Sequence, residues 1–398
     1  MKRQTIIIIL GYIFIAICFG ACESQKKTSK IIHCNIREVI KNPQQFDIKK
    51  DIKKISYVPL ETSDSSLIGN ILDLVATKDF LFILDSRTGC ILQYGMNGKF
   101  IRQVSKVGNG PEEYGMINEI AVNSYTDKLY VFLHNGETKV FNTDGSLSHA
   151  DTTFKYTGKM HLIDSDNIAL KGLVFNPKIK APWAGDIKKK NGDIIAKSIF
   201  PKNVSEDLCF MKNITFSPTR EGVLLHTPTN DTIFRITATS IEPTYILDTN
   251  NPKNYYDDIA DYSKLSDRSV ENDNCIEVYN YFFETPSHLY LRCYKGENDY
   301  IIQVNRKTNE VKANIILPDY IQLSGQIPGN NIIGIENTID RGAPIFPEFY
   351  VNKNTYAQVI SYDQVNGLKE KGYLKNAPAE LDIDENNNPI VILYTLLD

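Results

Sequence analysis

From residue 71 the chain alternates short apolar runs with turn-forming clusters. ILDLVA begins at Ile71, FLFILD at Phe80, CILQYG at Cys90 and FIRQVS at Phe100, with Lys-Asp, Thr-Gly and Asn-Gly among the separators. These pairs suit tight turns, where the chain needs residues that tolerate positive φ. Runs of this length at about ten-residue spacing predict the four strands of an antiparallel meander. No apolar stripe at the helical period runs long enough to compete.

The pattern then begins again with NEIAVN at Asn118, KLYVFLH at Lys128, TKVFNT at Thr138 and SLSHAD at Ser146. The offset from Ile71 to Ile117 is 46 residues. A four-stranded unit repeating at about 40–50 residues is the pattern of a β-propeller blade, in which stacking buries both faces of each small sheet. A third unit opens at 159–164 and 168–174 and is stretched by a loop around Ala181-Pro182-Trp183. A fourth spans 214–248 and a fifth 276–317. The last, from about Asn331, is irregular; it holds a predicted helix from Gln364 to Gly372 and a strand at 389–396. The run ISYVPLE (55–61) lacks partners of its own. It is expected as the outer strand of the last blade, with 389–396 as that blade's inner strand, so that the pairing closes the ring and removes an open edge. The expected fold is all-β, a six-bladed β-propeller over residues 46–398; seven blades is the alternative count.

Lys2 and Arg3 precede the apolar runs Ile6–Leu10 and Tyr12–Phe19, followed by Gly20-Ala21-Cys22. A charged start, a short apolar centre and small residues before a cut site predict a signal peptide over residues 1–21. The apolar run falls short of the roughly 20 residues of a membrane span. The Gly20-Ala21-Cys22 ending resembles the lipobox of bacterial lipoproteins, which implies lipidation at Cys22 and anchoring by several acyl chains. Residues 22–45 are then expected to be the lipidated cysteine and a tether.

Removing residues 1–21 takes two cations and no acid, moving the formal charge from −4 to −6. A mildly acidic chain is poorly suited to nucleic acid. Of seven cysteines, Cys34, Cys90, Cys209, Cys275 and Cys293 remain once Cys18 leaves with the signal and Cys22 is lipidated. The number is odd and no Cys-x-x-Cys occurs, so free, buried thiols are expected, with no zinc site. In the predicted hairpin Cys293 falls opposite residue 279, too far along the strand from Cys275 for a disulfide.

VGNGPEEYG (107–115) lies where the chain crosses from the first unit to the second. A phosphate-binding loop would need a lysine and a helix after it; here a strand comes next. Glycines and Pro111 instead suit a sharp corner. Glu113 is expected to accept backbone N–H groups and Tyr114 to pack between blades.

Gly108, Gly110, Pro111, Glu113 and Tyr114, placed after a strand carrying Ile-Arg, resemble a motif of six-bladed β-propeller lipoproteins from Bacteroidetes. NTIDRGAPIFP (337–347) is similar to a second segment of that family at Asn337, Gly342, Phe346 and Pro347, with Thr338 and Arg341 standing where Asp and Gly are expected. Asn388-Pro389 before the last strand is a third similarity. The resemblance, remotely shared with NHL-type propellers, covers nearly the whole mature chain. It implies a cell-envelope location and no assured activity. With only Glu23 acidic after Cys22, the outer membrane's periplasmic face is favoured over the cell surface.

Candidate ligand contacts are few. Asp340 and Arg341 offer a cation for bidentate anion recognition; the plainer expectation is a surface ion pair. Trp183, the single tryptophan, could stack on a sugar or seal a gap between blades. Tyr255 and Tyr256 sit among acids in a solvated insertion. No histidine pair has metal-ligand spacing and no Gly-x-Ser-x-Gly occurs, so no catalytic residue, metal or cofactor is assigned. The expected function is a lipid-anchored, monomeric binding or scaffold module for a glycan, a peptide or a partner envelope protein. The alternative is a lyase or hydrolase acting on an envelope or dietary polymer. Carboxylates clustered at the axis with shifted pKa values favour the enzyme, and an aromatic face favours binding.

Overall fold

The computed structural model describes residues 31–154, 157–172, 183–199, 214–227, 230–252, 274–316 and 334–398. Two short elements come first, β1 (Ile32–Cys34) and α1 (Ile36–Val39), and then β2 (Ile52–Pro59). Blade 1 comprises β3 (Ile71–Ala76), β4 (Phe80–Asp85), β5 (Ile91–Gly95) and β6 (Phe100–Gln103). Blade 2 comprises β7 (Ile117–Asn123), β8 (Lys128–Leu133), β9 (Thr138–Asn142) and β10 (Leu147–Asp151). Blade 3 is β11 (Thr157–Leu162), β12 (Asn167–Gly172), β13 (Trp183–Lys189) and β14 (Ile194–Ile199). Blade 4 is β15 (Thr215–Thr219), β16 (Gly222–His226), β17 (Thr232–Ile236) and β18 (Ile241–Leu247). Blade 5 is β19 (Glu277–Glu284), β20 (His288–Lys295), β21 (Asn298–Asn305) and β22 (Val311–Ile315). Blade 6 contains β23 (Phe349–Asn352), β24 (Thr355–Ile360), helix α2 (Tyr362–Glu370) and β25 (Ile390–Leu396).

The strands are apolar on both sides, and alternation divides each between two neighbours. In blade 1, Leu81 and Ile83 pack with Val351, Ala357 and Val391 of blade 6. Phe82 and Leu84 point the other way and pack with Ile120, Leu129 and Val131 of blade 2. Further clusters join blades 2 and 3 through Phe132 and Leu170, and blades 3 and 4 through Ile187 and Val223. Two more join blades 4 and 5 through Leu224 and Leu291, and blades 5 and 6 through Phe283 and Tyr356. Six blades with six mutual interfaces make a closed ring. Apolar area hidden between sheets, at about 25 cal/mol per Å2, is its main source of stability.

Closure works as the pattern predicted: β2 is the outer strand of blade 6 and pairs antiparallel with β25, from Ile52 opposite Leu396 to Pro59 opposite Ile390. One detail differs. β25 is the third strand of its blade, flanked by β24 and β2, and the inner strand is β23. An unbroken apolar run marks burial on both faces and does not say which place in the sheet provides it.

The ordered body also begins earlier than residue 46. β1 runs parallel to β18, with Cys34 opposite Leu247, and adds a fifth strand to blade 4. Ile32, Cys34, Ile36 and Ile40 are buried against blades 4 and 5. Cys275 and Cys293 are also buried, Cys90 is half-buried, and these four described thiols are free; Cys209 lies outside the described residues. Cys293 faces Val278 rather than residue 279, because the β19–β20 register is irregular between Val278 and Phe282. Helix α2 starts two residues before the predicted position. Ser361 and Gln364 form a capping box there, with the Ser361 N–H donating to Gln364 Oε1 at 2.9 Å.

Candidate functional site

The inner strands of blades 1, 2 and 3 share a device. Each carries a register irregularity near its start, at Ile71/Asp73, Ile117/Glu119 and Thr157/Lys159. One extra residue there shifts the pleat, so the side chains beyond it are re-aimed relative to those before it. In all three blades the residue after the irregularity is charged. Asp73 faces blade 2, where its Oδ2 accepts the Ile120 N–H at 3.2 Å, while Oδ1 accepts the Leu74 N–H at 3.0 Å. Lys159 Nζ lies 3.4 Å from Asp73 Oδ1 and 3.4 Å from Glu119 Oε2. Lys171, on the second strand of blade 3, donates to Glu119 Oε1 at 2.8 Å. The result is a chain of alternating charge across three blades.

Burial disfavours the Lys159 ammonium, but Asp73 and Glu119 outweigh it and hold its pKa above the ordinary lysine value. Burial likewise raises the Glu119 carboxyl, and Lys171 and Lys159 outweigh it and hold it below its usual range. Glu119 is thus a fixed carboxylate, suited to structure or recognition and ill suited to donating a proton.

These four residues line part of a cavity of about 870 Å3 to which the inner strands of all six blades contribute, through Val75, Ile120, Met160, Phe216, Phe282 and Val351 among others. Across from the charges the wall is aromatic. Tyr350 meets His161 edge-on with ring centres 5.1 Å apart, and Tyr356 edge-on at 5.4 Å. Burial, with Lys159 and Lys353 nearby, pushes the His161 imidazole down to about 4, so it is neutral at physiological pH. Tyr356 is buried, and its hydroxyl donates to the Pro218 carbonyl at 3.2 Å and the Glu284 carbonyl at 3.3 Å. Glu348 is open to solvent in the cavity, yet enclosure by the surrounding blades pushes its carboxyl up to about 7, against the pull of Arg292. Among the described residues no group of three metal-ligating side chains converges.

None of these wall residues is singled out by motif or spacing, but a signal exists. Asp73, Glu119 and Lys159 each stand at the third position of a blade's first strand. Aligning the blades by their first strands exposes that column.

The sequence-derived candidates sit elsewhere. In the 107–115 crossover, Glu113 Oε2 accepts the Gly110 N–H at 2.8 Å, and the Tyr114 hydroxyl accepts the Ile91 N–H at 3.1 Å. Tyr114 is fully buried between blades 1 and 2, edge-on to Phe141. A Cβ on Gly108 would stand 2.0 Å from the Glu113 carboxylate, and one on Gly110 would stand 3.0 Å from it. The motif, with Pro111 at its apex, is a structural corner.

Asp340 is likewise taken up within the fold. Its carboxylate accepts from Tyr57 of β2 at 3.1 Å, from Asn337 Nδ2 at 2.7 Å and from the Gly342 N–H at 3.0 Å. The second family-like segment is therefore a knot that holds the closing strand. Arg341 stands exposed beside it at φ +61°, and among the described residues no ion pair joins it to Asp340. Asn388 performs a similar task, donating to the carbonyls of Ser66 at 2.7 Å and Glu61 at 2.9 Å. Trp183 opens β13 opposite Ile199. Tyr255, Tyr256 and Cys22 lie outside the described residues.

Comparison with known proteins agrees with this architecture. A protein of Bacteroides fragilis named for its inferred export is 16% identical with a TM-score of 0.66, over 89% of this chain and 98% of that one. A member of the DUF4221 family from Bacteroides vulgatus is 11% identical with a TM-score of 0.46, over 87% and 97%. No curated protein matches the sequence. The family described as "Domain of unknown function (DUF4934)" matches residues 31–395, and the chain belongs to it.

Proposed function

We propose that this protein is a lipid-anchored envelope module that binds its ligand in the cavity at the centre of the ring. The observation that carries the reading is convergence. Six inner strands supply one cavity with fixed charges on one side and aromatic rings on the other, an arrangement suited to orienting a ligand and costly to maintain without one. The clamped carboxylates argue against acid–base catalysis, since Lys159 and Lys171 keep Glu119 ionised. The Gly20-Ala21-Cys22 sequence and the Bacteroides fragilis relative named for export support an envelope location.

Two experiments test this. Fractionation of cells carrying the parent chain and Cys22→Ser should move the protein from membrane to soluble fraction; equal membrane retention would sink the lipid anchor. Thermal-shift screening of glycans, peptides and small ions should find a stabilising class whose effect falls at least tenfold in Tyr125→Ala. A ligand indifferent to the cavity wall would sink the binding site.

A further inference from the structure

We infer that the cavity takes a neutral polyhydroxylated ligand, a short uncharged oligosaccharide or glycoside, in preference to an ionic one. This rests on the cavity being the binding site. The argument is one of charge balance. A site for an ion keeps countercharge unspent, so that the ligand completes the pairing. Here the wall has largely completed it already. Asp73 and Glu119 share Lys159, and Lys171 takes the remaining Glu119 oxygen. Glu221 pairs with Arg306 at 2.6 Å, and Arg220 lies 3.7 Å from Asp398.

Hydrogen-bonding capacity and ring surface remain for a ligand. Tyr125 is 53% exposed in the cavity wall, and its influence on the Tyr350 phenol places the two rings near each other. His161 beside them is neutral and can both donate and accept. Asn118 and Asn352 add uncharged amides to the lining. Aromatic rings that carry a polar tip, set among neutral donors and acceptors, match the alternating C–H faces and hydroxyl edges of a sugar. The volume of about 870 Å3 falls in the range of small-ligand sites, with room for a short oligosaccharide.

The experiment is calorimetric titration of the full-length chain in detergent against two panels. The uncharged panel holds maltotriose, cellotriose, xylotriose, mannotriose and di-N-acetylchitobiose; the charged panel holds digalacturonate, trilysine and inorganic phosphate. The expected result is binding from the uncharged panel, with a Kd that changes less than twofold between 50 and 500 mM NaCl, since no ion pair is there to be screened. Tyr350→Ala should weaken it at least tenfold and Tyr350→Phe less than threefold. Tyr125→Ala, at an exposed ring whose loss does not open the core, should weaken it at least fivefold. Binding confined to the charged panel, with a tenfold loss across that salt range, overturns the neutral class and leaves the cavity as the site. No binding from either panel, or binding unchanged in both Tyr125→Ala and Tyr350→Ala, overturns the site and this inference with it.

Discussion

Asp51 Oδ2 lies 2.9 Å from Nδ1 of His288, 237 residues further along the chain. The same carboxylate accepts from the Tyr290 hydroxyl at 2.7 Å and the Thr285 hydroxyl at 2.5 Å. Asp51 precedes the closing strand β2, and its partners belong to the β19–β20 hairpin, so the contact fastens the closure of blade 6 to blade 5. Burial raises the Asp51 carboxyl, but the donors from His288, Thr285 and Tyr290 outweigh it and leave its pKa below the ordinary value. A depressed folded pKa gives stability that is present above the unfolded value, about 3.9, and is lost as pH falls through the folded one. Asp51→Ala should therefore cost about 3 kcal/mol at neutral pH, because buried donors lose their acceptor. The gap from the parent should narrow as the pH falls below about 4. Thermal melts between pH 7 and pH 2.5 check both parts, and a gap that stays constant in acid would refute the ionic origin.

Asp186, in the third strand of blade 3, is fully buried opposite Leu170 and Lys197, and neither carboxylate oxygen has a hydrogen-bond partner. Burial pushes its carboxyl up to about 6, against the pull of Lys188 and Lys197. Here the sign is reversed: the folded state prefers the proton, so stability falls as pH rises from the unfolded pKa to the folded one. Asp186→Leu is expected to raise stability by about 1–3 kcal/mol at pH 8, and the gain should shrink towards pH 4. Urea denaturation at the two pH values measures it; a loss at pH 8 would mean that the carboxylate has a hidden role.

Lys159 holds two carboxylates. Lys159→Met should destabilise by about 3–5 kcal/mol, since it leaves buried charges uncompensated. Adding Asp73→Asn should recover part of that loss, which a double-mutant cycle in chemical denaturation would reveal. Additive effects would show that the ion chain does not act as a unit.

Gly108 and Glu113 form a second coupled pair. Gly108→Ala should cost about 1–2 kcal/mol, because its Cβ displaces the carboxylate that caps Gly110. In a Glu113→Ala background the same change should be nearly neutral. Equal costs in the two backgrounds would mean that the corner resists alanine for another reason.

Much of the ring is legible because its determinants are local. Turn pairs such as Asn97-Gly98 and Asn135-Gly136 punctuate the chain, and the apolar runs between them are long enough for one strand each. Tyr114 and Glu113 can be assigned correctly because a corner must satisfy its own backbone. The features that escape depend on register or on distant partners. A three-residue strand, Ile32–Cys34, carries too little pattern to be separated from a tether. Ser361 sets the start of α2, two residues before the apolar pattern does. The cavity wall is hidden because Asp73, Glu119 and Lys159 differ in charge and meet only when three blades stack at the right irregularity. Asp340 has the look of a surface residue, yet Tyr57, 283 residues away, claims it.

The β2–β25 pairing also sets a timetable. During synthesis β2 is among the first strands made, and its partner is the last of the described strands to emerge. Until residues 390–396 arrive, β2 has no neighbour in its blade and β24 has one open flank. The ring is therefore assembled from one end and can be locked only at the finish, through contacts far apart in sequence, which fold slowly. A chain interrupted just before Ile390 would lack about as much of the clasp as one interrupted at its midpoint. Premature stops near the end of the reading frame should thus be as damaging as early ones, and the nascent protein must be guarded from edge-to-edge association throughout its making.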